Sequence, residues 1–191
     1  MSQCKFKEVL LDHKSGKEII FKCEEEAVRG GYCIFHDENY WRANPDNVNS
    51  RFIGIVNEAL ESNKQIICVG FNLVDVDLNM VRFDVPLYFT MTKFHGKVSF
   101  QKCIFNKVVD FSLAYFEKNT IFNNAIFRDD SFFEYSEFAG NAYFRMTEFQ
   151  GKTSFSNSRF WAKVVFWGSR FKSDVNFDSV EFSDECDFRL G

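Results

Sequence analysis

The chain has 191 residues with a formal net charge of −4, and 46% of its residues are hydrophobic. It carries 26 Phe and only 2 Pro, a composition that excludes a disordered chain. No apolar run is long enough to span a bilayer, no basic segment followed by an apolar core opens the chain, and no Lys/Arg run marks a phosphate-binding face.

Residues 1–44 differ in composition from the rest. Lys5–Leu11 and Lys17–Lys22 read as a hairpin turned at His13-Lys14-Ser15-Gly16. Cys4, Cys23, Cys33 and His36 form the pattern Cys-x18-Cys-x9-Cys-x2-His. The turn Gly30-Gly31 just before Cys33 and His36 aims a thiolate and an imidazole at one point. Four N/S ligands with no open position suit a structural, tetrahedral zinc site rather than a catalytic one. A segment this small cannot bury a core of its own, so a metal staple is expected. Two alternatives stay open: these Cys are free and merely packed, or His13 replaces one ligand. Without a leader, the six Cys are expected in a reducing compartment, and the chain in the cytoplasm.

Residues 45–64 form the second segment, and Asp46 to Lys64 reads as a helix. Pro45 precedes it and Asp46 can cap it. Phe52, Ile55, Val56, Ala59 and Leu60 make one apolar stripe. The helix is expected to cover the first coil of a C-terminal solenoid, hiding a strand edge. The alternative is a partner-binding helix.

Residues 65–191 are a repeat. From position 83, Phe falls at alternating steps of six and five without a break up to Phe188, twenty in all. Two residues before each Phe stands a small or β-branched residue, Leu87 alone excepted. Side chains two apart point to one side of an extended segment. Each unit is therefore a short strand with a large and a small residue turned inward. The two or three residues between units, such as Gly96-Lys97, Gly140-Asn141 and Gly151-Lys152, read as corners. A plainer five-residue form precedes them in Phe71-Leu73 and Val76-Leu78, and Ile66-Cys68 opens the series.

These units resemble the pentapeptide-repeat family. Phe71-Asn72-Leu73-Val74-Asp75-Val76-Asp77-Leu78 is close to its standard form, and Phe144-Arg145-Met146-Thr147-Glu148-Phe149 to a Phe-rich variant. The resemblance implies an all-β fold, a right-handed quadrilateral β-helix with four units per coil. The alternation of five and six adds a departure, because Phe can stack on Phe only if a coil is a multiple of eleven. A four-sided coil then has about 22 residues, and four Phe ladders rise from Phe83, Phe89, Phe94 and Phe100. The Cys/His segment is similar to knuckles that precede helices in some members of the family.

No catalytic constellation is present, and the chain reads as a non-enzyme. The residue before each Phe should point outward, which exposes Ile121, Tyr143 and Val165 beside Trp167 as a candidate surface for a protein partner. The abrupt end after Phe188 suggests end-to-end pairing of two copies, or a chain that continues as an accessory domain of a longer, membrane-attached protein. The resemblance offers one other function. Some family members are acidic rods that mimic duplex DNA and bind topoisomerases. From residue 66 onward, however, 16 acidic and 14 basic residues nearly cancel. A scaffold or interaction module is therefore the expectation, with an unidentified protein partner and no nucleic acid.

Overall fold

The computed structural model describes residues 2–12 and 16–189. His13, Lys14 and Ser15, expected in the hairpin turn, lie outside the described residues, as do Leu190 and Gly191. The chain opens with an antiparallel ribbon, β1 (Lys7–Asp12) and β2 (Lys17–Lys22), in which Glu8 opposes Phe21. Two helices come next, α1 (Tyr40–Ala43) and α2 (Pro45–Ser62). Then β3 (Ile66–Ile67) and β4 (Asn72–Leu73) begin a parallel solenoid built from two-residue strands.

Helix α2 forms where expected, with one correction. Pro45 is the first helical residue and Asn44 occupies the cap position, so Asp46 sits inside the first turn. A carboxylate there still favours the helix through the positive end of its dipole. Val48, Phe52, Val56 and Ala59 recur at steps of four, four and three, and all are buried. The helix stops at Asn63, whose left-handed backbone (φ 52°) lets the Lys64 N–H donate to the Ala59 carbonyl at 2.9 Å. Helix α1 was not expected; the Asp37 carboxylate accepts from the Asn39 and Tyr40 N–H groups at its start.

The solenoid has four parallel sheets, one per side, three of six strands and one of five. Strand registers repeat at 22 residues: Ile104 pairs with Ile126, Thr120 with Ala142, and Glu137 with Arg159. The first coil is shorter. Ile66 pairs with Leu87 and Asn72 with Lys93, a step of 21, because only one of its corners has the extra residue.

Inside, the four ladders are continuous. Successive rings within a ladder lie 4.5 Å apart at the closest (Phe116–Phe138) and 5.4 Å at the widest (Phe100–Phe122). This spacing comes from strands about 4.8 Å apart, with parallel, offset rings. Rings of neighbouring ladders meet edge to face, as Phe122 and Phe133 do at 5.8 Å and 83°. Several small inward positions bury hydroxyls that return to the backbone: Thr147 Oγ1 donates to the Phe122 carbonyl at 2.8 Å, and Ser136 Oγ to that of Phe133 at 2.7 Å. A buried hydroxyl left unpaired would be costly.

The corners are of two kinds. Five-residue corners close with a bond from the N–H three residues after a Phe, as Ala125 to Phe122 at 3.0 Å. Their second corner residue has φ between 53° and 61° wherever it is not glycine, including Leu113, Tyr135 and Met146. Six-residue corners hold the extra residue without a left-handed backbone. Gly140 lies in one of them, and its role is space: a Cβ there would meet the Asn119 amide nitrogen, one coil below, at 2.7 Å. In both kinds an Asx side chain binds the corner stacked on it. Asp130 Oδ1 accepts from the Lys152 N–H at 3.0 Å, and Asn123 Oδ1 from that of Arg145 at 2.9 Å.

Candidate metal centre

The ribbon and the turn after it bring four separated ligands together. Cys4 and Cys23 stand where the ribbon enters the body of the protein: the Cys4 N–H donates to the Glu25 carbonyl and the Cys23 N–H to that of Phe6. Gly30 (φ 59°) and Gly31 (φ 86°) make the reversal that returns the chain to Cys33. The His36 and Asp37 N–H groups then donate to the Cys33 carbonyl, one helical turn that sets Cys33 and His36 side by side.

The ligand atoms of Cys4, Cys23, Cys33 and His36 all lie within 4.8 Å of one another, and all four residues are buried. Cys23 and Cys33 sulfurs are 3.8 Å apart. His36 Nδ1 is 3.2 Å from the Cys33 sulfur and 3.6 Å from that of Cys4. A tetrahedral ion with metal–sulfur bonds of about 2.3 Å separates its sulfur ligands by about 3.8 Å. The cluster therefore has the size and donor set to hold a metal ion.

The surroundings prepare the donors. His36 Nε2–H donates to the Val69 carbonyl at 2.9 Å, leaving the Nδ1 lone pair facing the sulfurs. The Cys33 N–H donates to the Cys4 sulfur at 3.3 Å. The Cys23 S–H donating to the Cys33 sulfur pulls the Cys33 thiol below its usual range and pushes that of Cys23 above it. His13, the alternative ligand, lies outside the described residues. The other three cysteines are ordinary core: Cys68 and Cys103 are fully buried, and burial pushes the Cys103 and Cys186 thiols up to about 11.

The centre is joined to the solenoid by contacts that the Cys/His spacing does not show. Phe6 stacks on His36 at 3.8 Å, and Phe35 stacks on Phe71 at 4.1 Å. Asn72 donates to the Phe35 carbonyl through both its N–H and its side-chain amide, each at 2.9 Å. Phe35 thus takes the place of a strand below β4. One sequence signal was available: Phe71 puts a ring at an inward position that is otherwise small.

The expected partner surface is distributed differently. Ile121, Tyr143 and Val165 do share one face, in register. Ile121 and Tyr143 are half-buried and Trp167 is 41% exposed, but Val165 is only 1% exposed. This corrects the expectation for Val165, which sits mid-column between Tyr143 and Asp187 and is covered on that face. Other exposed apolar residues fall on the left-handed corners, among them Met80, Leu113, Tyr135 and Met146.

Residues 133–181 match a family of pentapeptide repeats, described as nine copies. No curated protein and no solved structure matches the chain. The match lies within the region where all four ladders keep their register, and the same ladders extend from Phe83 to Phe188. Residues 133–181 are thus pentapeptide repeats, and they lie within a Phe-rich solenoid whose N-terminal segment carries a Cys/His cluster.

Proposed function

We propose that this protein is a non-catalytic scaffold that presents the outside of a rigid rod to a protein partner, with a structural zinc ion in its N-terminal cap. The observation that carries the reading is the division of labour along each strand: aromatic rings are directed inward to the ladders, while Ile121 and Tyr143 remain at the surface of one face and Trp167 at the corner beside it. The titratable groups support a non-enzymatic role. Carboxylates pair with nearby cations, as Glu148 with Lys172 at 2.8 Å and Glu181 with Arg159 at 3.0 Å, and Glu117 pairs with both His95 and Lys118. The zinc assignment rests on three thiols and one imidazole at tetrahedral spacing. Among the described residues no helix is long and apolar enough to cross a membrane, and a Cys-rich metal cap with free thiols suits the reducing cytoplasm.

Pairing of two copies end to end would cover the rings of the last described coil, where Phe182 is 39% and Phe188 37% exposed. Two measurements test these readings. Tyr143→Ser with Trp167→Ser should abolish capture of the partner while leaving the circular dichroism spectrum unchanged; undiminished capture rules out this face. Light scattering should show a dimer that Phe182→Lys converts to a monomer, and a wild-type monomer rules out pairing.

A further inference from the structure

The chain's repeat region and its Cys/His cluster meet at the first coil, and the contacts there run through groups that bind no metal. The Val69 carbonyl holds His36 Nε2. The space beside Gly70 is filled by the tip of the Phe6 ring, the same ring that stacks on His36 at 3.8 Å. A Cβ on Gly70 would stand 2.5 Å from Phe6 Cζ. Asn72 holds the Phe35 carbonyl, next in the chain to His36.

We propose that the first coil is the outer half of the metal centre: Gly70 and Asn72 are positioning residues that set zinc affinity by fixing His36, and zinc in turn clamps the cap over the strand edge of β4. The proposal rests on the zinc reading above. Binding equilibria that share a structural element are coupled reciprocally, and losing an outer-shell support costs roughly 10–100-fold in metal affinity. Val69, Gly70 and Asn72 belong to the solenoid by sequence, and only their position beneath His36 connects them to the site.

The test measures zinc affinity of the full chain by competition with a chromophoric chelator. Gly70→Ala should weaken binding by roughly tenfold or more. Gly168→Ala is the control. Gly168 has the same left-handed backbone (φ 70° against 67°), but its Cβ would meet only Met146 at 3.4 Å. It should suffer the same backbone strain and leave zinc affinity unchanged. Wild-type affinity in Gly70→Ala, or equal weakening in both variants, overturns the proposal. The reverse direction is read on the wild type by hydrogen exchange. Stripping zinc should speed exchange of the Asn72 amide, which donates to Phe35, and spare the Glu137 amide, which donates to Ala114 inside the rod. Unchanged exchange at Asn72 overturns the clamp while the zinc site stands. A wild-type chain that takes up no zinc overturns the zinc reading itself, and the coupling with it.

Discussion

The cap and the rod solve the same problem, burying a small amount of chain, in opposite ways. The rod repeats one contact: each interior Phe stacks on a ring above and a ring below, and the hydrogen bonds of its corners repeat with it. Its stability is spread over many equal terms, as in other solenoids where each repeat touches only its neighbours. The cap has no repeat. It depends on a ligand cluster, one aromatic stack on His36 and one strand-like contact at Asn72. The cap should therefore fail as a unit when one member is lost, whereas the rod should lose stability in proportion to the site.

The largest expected effect is in the rod's interior. Phe122 is fully buried between Phe100 and Phe144, and Phe122→Ala should cost roughly 3–5 kcal/mol in denaturant unfolding. Phe182→Ala removes a half-covered ring and should cost only about 1–2 kcal/mol. Equal losses would break the picture of a graded lattice. In the cap, Cys33→Ser should weaken metal binding by more than the roughly 100-fold cost of losing an outer-shell partner. Amides of the ribbon should lose exchange protection together, while those of the rod keep theirs.

The corners give smaller effects of opposite sign. Gly140→Ala drives a Cβ into the backbone of the coil below and should destabilise by about 1–3 kcal/mol. Leu113→Gly relieves a left-handed side chain and should gain up to about 1 kcal/mol after the added unfolded-state entropy. The thermal midpoints of these two variants check whether the two corner types differ as described. An effect of similar size is expected at Asn123, whose side-chain carbonyl accepts the Arg145 N–H. Asn123→Ala should cost about 0.5–1.5 kcal/mol.

Much of this fold was legible because a solenoid turns local spacing into architecture. The five-six alternation from Phe83 onward implies 22-residue coils, and the registers of Ile104 with Ile126 and Thr120 with Ala142 carry that step. The Cys/His cluster was also legible, since Cys33 and His36 lie on one turn and their donor types are specific. Other features were hidden. Gly140 reads as a turn residue, but its requirement comes from the backbone of the coil below, at Lys118 and Asn119. Val165 reads as exposed, yet its surroundings leave it covered. Asp46 reads as a cap, yet Pro45 takes the first helical position and shifts the boundary.

The sequence by itself determined the period, the four ladders and the ligand set, because each depends on residue type at a fixed separation along one chain. Tertiary structure decided where the two systems join. Nothing in the spacing of Cys4, Cys23, Cys33 and His36 points to Val69, Gly70 or Asn72. Those contacts exist because the first coil has no coil beneath it, and its exposed strand edge and the Phe71 ring are completed by Phe35 and the knuckle. An unpaired edge must be covered by something, and here the covering element is the one that carries the Cys/His cluster.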